Sequence, residues 1–238
     1  MGELLIVVDN FPHVEYLERD WGFSALLTEE NITLLFDLGA KEDVFAHNVE
    51  KLGIDLSSVD CLVISHSDYD HVGGLRLFLE RNEKAKVFVP DGFDERLLRK
   101  IEDTGHEIVI THDFTDVCGP FKSTGPVKPS PRPEHSLFFK TKNGYWIVAG
   151  CSHPGVSNIV EHVKRFVEED VDLYIGGFHF YKFFGEELKE LVLEVKRTGI
   201  KRVAPCHCSG HEARMEFERA FGENFVRVGV GTRLSFEL

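Results

Sequence analysis

The chain has no glutamine, only two methionines and two tryptophans, and no apolar run long enough to cross a bilayer. The missing run excludes a membrane-spanning helix from the expected architecture. The thin supply of labile residues, beside abundant Glu and Lys, points to a heat-adapted, thermophile source. Cysteine is sparse as well. There are five, an odd number scattered through the chain, which is not the pattern of a disulfide framework. The opening MGELLIVVDN has no basic stretch and meets Asp9 early. It therefore reads as a first strand and not as a signal peptide, and a cytoplasmic location is expected. Positive charge is in deficit: 27 Lys and Arg against 40 Asp and Glu leave a formal net charge of −13. That balance argues against nonspecific nucleic-acid binding, although bound metal ions would restore local positive charge. A small molecule is the expected partner, and no residue pattern sets an oligomeric state.

What is present is a chain of 238 residues, 42% of them hydrophobic, enough to bury a core without cross-links. Strand patterns alternate with helical ones. ELLIVV, FSALLTE and ITLLFDLG read as opening strands, and KEDVFAHNVEKLG as a helix that ends at Gly53. CLVIS is short and wholly apolar, the signature of a strand buried on both faces. GGLRLFLERN follows as a helix, KVFVP as a strand, DERLLRKIEDTG as a helix and HEIVITH as a strand. Residues 113–134, rich in Pro and Gly, read as a long surface connection, and such loops are often functional. HSLFFKT and GYWIVAG form a hairpin around Asn143-Gly144. Helix–strand alternation then resumes through SNIVEHVKRFVEED, DLYIGG, EELKELVLEVKRTG, KRVAPCH and HEARMEFERAFG, and FVRVGVGTRLSFEL closes the chain as a strand. Two similar halves divided near 113–134 predict one domain over 1–238. Its expected fold class is α/β (α+β), a four-layer αββα sandwich, with a single doubly wound sheet as the competing arrangement.

The densest chemistry lies in SHSDYDHVGGL, where His66, Asp68, Asp70 and His71 fall within six residues behind a buried strand. Side chains at the carboxyl end of such a strand line a crevice. Two imidazoles and two carboxylates this close repel, or lose hydration, unless a cation compensates. Mixed nitrogen and oxygen donors point to one or two divalent metals such as Zn, Fe or Mn. A solvated polar turn is the bland reading of the same residues. Three further histidines, His153 in AGCSHPG, His179 in IGGFHF and His207 in APCHCSG, each sit where a strand meets a turn of small residues.

Together with FDLG, GCSHPGVSN, IGGFH and HCSG, this turn resembles the HxHxDH signature of the metallo-β-lactamase superfamily, whose fold is the αββα sandwich. The resemblance runs the length of the chain. It extends to a branch of prokaryotic metal-dependent hydrolases that includes synthases of the 7,8-dihydropterin-ribofuranosylaminobenzene phosphate step of methanopterin-type cofactor synthesis. By motif position the resemblance implies His66 and Asp68 on a first metal, Asp70 and His71 on a second, and His207 as the last ligand of the second. His153 is the choice for the remaining ligand of the first site, and His135 in PEHSL competes for that role. Asp37 in FDLG resembles a supporting residue behind the ligands.

Two departures from the pattern matter. Asp68 stands where the family has its second histidine, which favours harder ions and also resembles the diiron flavoprotein branch. Cys151 and His153 stand where the family usually has a bridging Asp, which puts a tight two-metal site in doubt and makes Cys151 the best thiolate candidate. Cys206 and Cys208 flank His207 on what reads as an extended segment, so their side chains should point away from it as small buried residues. Cys61 reads as core. The aromatic clusters FHFYKFFG and DNFPHVEYLERDWGF either wall a pocket for a flat substrate or pack between helices.

The implied activity is hydrolysis by a metal-bound water or hydroxide of a small phosphate ester, phosphodiester or lactone, with Asp70 orienting the water or accepting its proton besides ligating, and His179 donating either to a ligand from behind or to the substrate. A pterin-linked transferase and a metal- or ligand-binding protein without turnover are the alternatives.

Overall fold

Strands that are apolar on both faces need cover on both faces, and the chain supplies it with two sheets and two helical layers. The computed structural model describes residues 1–238. In chain order the first half contains β1 (Gly2–Val8), β2 (Ser24–Glu29), β3 (Ile32–Phe36), α1 (Glu42–Leu52), β4 (Cys61–Val63), α2 (Tyr69–Val72), α3 (Leu75–Arg81), β5 (Lys86–Pro90), α4 (Glu95–Glu102) and β6 (Ile108–Thr111). The second half contains β7 (Thr115–Cys118), β8 (Phe121–Ser123), β9 (Leu137–Thr141), β10 (Gly144–Ala149), α5 (Val156–Phe166), β11 (Val171–Gly177), α6 (Gly185–Arg197), β12 (Arg202–Cys206), α7 (His211–Phe221) and β13 (Arg233–Phe236).

One sheet has the order β13-β1-β2-β3-β4-β5-β6, the other β12-β11-β10-β9-β8-β7. Both change from antiparallel to parallel pairing partway across: β1 to β3 pair antiparallel and β3 to β6 parallel, while β7 to β10 pair antiparallel and β10 to β12 parallel. The strand period of two sorts side chains into separate cores. Leu34, Phe36, Cys61 and Val63 face Phe139, Trp146, Val148 and Ile175 between the sheets. Their neighbours Leu35 and Leu62 turn outward onto Phe45 and Phe78 of α1 and α3. On the far side Ile147, Tyr174 and Val203 pack against Ile159, Val192 and Phe217 of α5, α6 and α7. These are the four layers of an αββα sandwich, and the doubly wound alternative is excluded.

Three local expectations change. The connection over 113–134 is not all loop, because β7 and β8 form a hairpin within it that supplies the edge of the second sheet. Short strands interrupted by Gly119 and Pro120 carry too few alternating residues to be read from pattern. The closing segment is a strand only over Arg233–Phe236, and it pairs with β1, returning the chain to the first sheet. The motif turn contains a helix of its own, α2, ahead of the expected one.

No helix is long and apolar enough to cross a membrane. The parallel strands β3, β4, β10, β11 and β12 all end at one edge of the sandwich, and the chemistry collects there.

Candidate metal centre

Each strand end contributes one or more functional side chains, and the backbone there is unusual. Non-glycine residues with positive φ are Glu30, Asp37, Ser152, His179 and His207. All but Glu30 lie at this edge, after β3, β10, β11 and β12. Strained backbone of this kind persists where surrounding contacts over-determine it. At His207 (φ 45°) the contact is Asp9, whose Oδ1 accepts the His207 amide at 2.8 Å. At Asp37 (φ 56°) it is Ser65, whose amide and hydroxyl each donate to the carboxylate at 2.7 Å.

Four imidazoles converge, and each is tied through Nδ1. His66 Nδ1 donates to Ser65 Oγ at 2.9 Å and His71 Nδ1 to Asp37 Oδ2 at 2.7 Å. His153 Nδ1 donates to Glu134 Oε2 at 2.8 Å and His207 Nδ1 to Asn10 Oδ1 at 3.1 Å. Fixing the proton on Nδ1 leaves the Nε2 lone pair for a ligand, the usual arrangement behind metal-bound histidine. His66 Nε2 is buried and has no hydrogen-bond partner.

Cys151 lies among these nitrogens. Its Sγ is 3.3 Å from His71 Nε2 and 3.4 Å from His207 Nε2. Donor atoms of Asp70, His71, Cys151 and His207 lie within 4.8 Å of one another, as do those of His66, Cys151 and His153. Asp68 Oδ2 lies beside the two histidines of the latter group, 3.6 Å from His66 Nε2 and 3.9 Å from His153 Nε2. The thiol thus occupies the junction between two three-residue groups, His66/Asp68/His153 and Asp70/His71/His207. The side chain between the two groups is this sulfur and not a carboxylate. Nitrogen, oxygen and sulfur donors with an orphaned buried Nε2 fit divalent ions in both groups.

The electrostatics agree with that fit. Burial pushes His66 down to about 3 and His71 to about 4, so both rings are neutral, the form that ligates. Burial raises Asp37 to about 7 against the pull of His66 and Ser65. Burial opposes ionisation of Asp70 too, but His207 and His71 hold its carboxyl well below the usual range.

His135 is not part of either group. Its Nε2 donates to Ile64 O at 3.0 Å and its Nδ1 lies 2.8 Å from both Thr111 Oγ1 and Ser123 Oγ, so it clamps the two sheets together. The preceding residue is the one that matters. Glu134, fully buried, accepts the amides of Cys151, Ser152 and His153 besides the His153 ring.

Cys208 departs from expectation as well. His207–Ser209 form a single helical turn and not an extended run. The turn brings Cys208 Sγ to 3.3 Å from Cys151 Sγ, while Cys206 stays in the core between the sheets. His179 lies beside this pair, and the donor atoms of Cys151, His179 and Cys208 form a third close group. Two glycines make the room. A Cβ at Gly150 would lie 2.1 Å from Ser65 Oγ, and one at Gly177 would lie 2.6 Å from Cys208 Sγ.

Sequence reasoning missed Asp9, Asn10, Trp21, Arg132 and Glu134. Trp21 Nε1 donates to Asp70 Oδ2 at 2.8 Å, and Arg132 Nη1 to Asp68 Oδ1 at 2.7 Å. Trp21 lay in an aromatic cluster already singled out, and Glu134 sits next to a histidine already weighed. Asp9 and Asn10 open that same aromatic cluster and Arg132 lies in the 113–134 connection, but none of the three carries a ligand pattern of its own. Above the centre is a cavity of about 420 Å³ with Trp21, Tyr69 and Tyr181 on its walls and Arg132 and Lys182 at its mouth. The aromatic clusters divide between the two readings: Trp21 and Tyr181 wall the cavity, whereas Phe178 and Phe180 pack into the core under α6 and α7.

A sandwich of two mixed sheets with histidine, aspartate and cysteine gathered at the strand ends defines a class of metal-dependent hydrolase folds. The sequence profile described as the metallo-beta-lactamase superfamily matches residues 21–139, half of the chain, and the protein belongs to that superfamily. A curated relative from Methanocaldococcus jannaschii, the 7,8-dihydropterin-6-methyl-4-(beta-D-ribofuranosyl)-aminobenzene-5'-phosphate synthase, is 25% identical over 247 residues, covering 85% of this chain and 84% of its own. A crystal structure of a metal-dependent hydrolase of the beta-lactamase superfamily is 26% identical and superposes with a TM-score of 0.83 over 100% of both chains. A diphosphatase of the PhnP family, 14% identical, shares the fold with a TM-score of 0.67 over 100% of this chain and 99% of its own.

Proposed function

We propose that the protein is a metal-dependent hydrolase of a small phosphate ester or phosphodiester, working from a two-ion centre joined at Cys151. The observation that carries this reading is the convergence of four Nδ1-tied imidazoles and Asp70 on one thiol, with Asp68 beside two of the imidazoles. When bound, the ions supply a Lewis acid and lower the pKa of a water molecule.

The residues of the chain do the rest. Asp70, held at Oδ2 by Trp21 and kept ionised by His207 and His71, keeps Oδ1 to accept a hydrogen bond from a water and orient it. His179, partly exposed on the cavity wall, donates to the substrate or its leaving group. Arg132 and Lys182 stand at the mouth in a chain of net charge −13. Fixed cations there favour an anionic substrate, and a phosphate before a neutral lactone. Trp21, Tyr69 and Tyr181 offer flat surfaces for a ring on that substrate.

The test is elemental analysis of the purified protein beside turnover of a panel of phosphomonoesters, phosphodiesters and lactones. Close to two ions per chain, with hydrolysis abolished in Asp70→Ala and His66→Ala, is the expected result. Full activity in metal-free Asp70→Ala sinks the reading.

The ring-lined cavity wall also favours a second reading, a transferase joining a pterin to a ribosylated arylamine phosphate, in line with the name of the Methanocaldococcus relative. Metal-dependent turnover that requires two organic substrates together distinguishes it from hydrolysis.

A further inference from the structure

Cys151 and Cys208 come from the ends of β10 and β12, two strands separated by β11 in the same parallel array. Their Sγ atoms nonetheless lie 3.3 Å apart. The approach is built into the backbone. The helical turn at His207–Ser209 aims Cys208 inward, and Gly177 on the intervening strand leaves the space its sulfur fills. Both thiols are buried in the protein, yet both line the cavity above the centre, where a water-sized oxidant reaches them. A disulfide has an S–S length of about 2.05 Å, so the sulfurs need to close by roughly 1 Å.

We infer that Cys151 and Cys208 are a redox couple that governs metal loading. As a dithiol, Cys151 presents its sulfur to both ligand groups. As a disulfide with Cys208, that sulfur is withdrawn and the two groups lose their common donor. This rests on the metal-centre reading above. With hydrogen peroxide as oxidant, one thiol sulfur attacks a peroxide oxygen, the O–O bond breaks, and water leaves a sulfenic acid behind. The second thiol attacks that sulfur, the S–S bond forms, the S–O bond breaks, and a second water leaves. Two thiols give up two electrons and two protons, and peroxide takes them. A dithiol reductant reverses the step. Ions bound to Cys151 occupy its lone pairs, so the loaded protein resists oxidation.

The experiment treats the metal-free full chain with hydrogen peroxide, maps cysteines by alkylation and peptide mass spectrometry, and then measures zinc uptake with and without reductant. Expected are a peptide pair linked through Cys151 and Cys208 and lighter by two hydrogens, loss of at least one bound zinc ion per chain, and recovery of both on reduction. Cys208→Ser should give no linked pair, whereas Cys118→Ser, remote from the centre, should still give it. Zinc added before peroxide should suppress the link. Oxidation that stops at unlinked sulfinic acids, or links only Cys61 to Cys118, overturns the couple. A linked pair with undiminished zinc uptake overturns its control of metal loading. Reduced protein that takes up no zinc overturns the metal centre and the control with it, while the linked peptide still establishes the couple.

Discussion

The two ligand groups on either side of Cys151 are built from the same residue types and braced to different degrees. In the group of Asp70, His71 and His207, every side chain is buried and every one has a protein brace: buried Asp37 behind His71, half-buried Asn10 behind His207, and Trp21 from the cavity wall on Asp70. In the group of His66, Asp68 and His153, the histidines have interior braces in Ser65 and Glu134, but the Asp68 side chain is 24% exposed. Behind the ligand group, the Asp68 side chain has its hydrogen bond from Arg132, itself 56% exposed on the Pro-rich loop. Rigid partners behind a ligand reduce what must be ordered when an ion binds. The buried group is therefore expected to hold its ion more tightly, and a dilute chelator should strip the open group first, as stepwise metal loss in elemental analysis.

Removing what the groups share has the largest expected effect. Cys151→Ala should lower metal affinity in both groups and cut turnover by more than the roughly 100-fold upper range of changes made behind ligands. Metal content measured by elemental analysis checks the binding half of that expectation. If Cys151→Ala keeps both ions, the sulfur is not a ligand.

Changes behind one group come next, and they separate the two. Asp37→Asn should cost about 10- to 100-fold in affinity for the ion of the buried group and leave the open group nearly unaffected. Glu134→Gln should do the reverse, since its carboxylate braces His153 and the 151–153 backbone. Competition with a chromophoric chelator reads both affinities. Equal losses in both groups from either variant would dissolve the distinction.

The contrast also explains what the sequence discloses. The side chains gathered in SHSDYDHVGGL follow one buried strand, so short spacing is enough to bring His66, Asp68, Asp70 and His71 together. His153 and His207 mark other strand ends, and parallel strands that end at a common edge bring them to the same place. The braces are another matter. Asp9 and Asn10 reach His207 across nearly two hundred residues, and Arg132 reaches Asp68 from a loop with no periodicity. Such contacts exist only after the sheets have packed. Cys208 was hidden for a local reason: His207 adopts a positive φ that no residue pattern announces, and the turn it starts redirects the next side chain. The four layers were legible because the chain divides into two similar halves, each with strands followed by helix–strand alternation, and strands apolar on both faces need a second sheet on one side and helices on the other. The β7–β8 hairpin was not, because strands of three and four residues around Gly119 and Pro120 carry almost no alternation.

Asp68→His sharpens the comparison from the open side. A neutral imidazole in place of a carboxylate softens that donor set and frees Arg132 from its partner. Zinc in the open group should then rise relative to manganese or iron, with the buried group unchanged, as competition between metals at equal concentration will read. An unchanged metal preference would remove Asp68 from the ligand set.

The smallest effect belongs to Arg132→Ala, and it asks whether the arginine serves the metal group or the substrate. Its ion pair with Asp68 is largely exposed, and such pairs contribute about 0–1 kcal/mol, up to roughly fivefold in an equilibrium. If Arg132 acts only by holding Asp68, its removal weakens ion binding in the open group by no more than that, and KM follows metal occupancy. If it also receives an anionic substrate at the mouth, KM rises even when metal is saturating, and added salt narrows the gap between the variant and the parent, because screening weakens the attraction the variant has already lost. Measuring KM at saturating metal and two ionic strengths separates these outcomes, and a salt-independent KM equal to that of the parent assigns Arg132 to Asp68 alone.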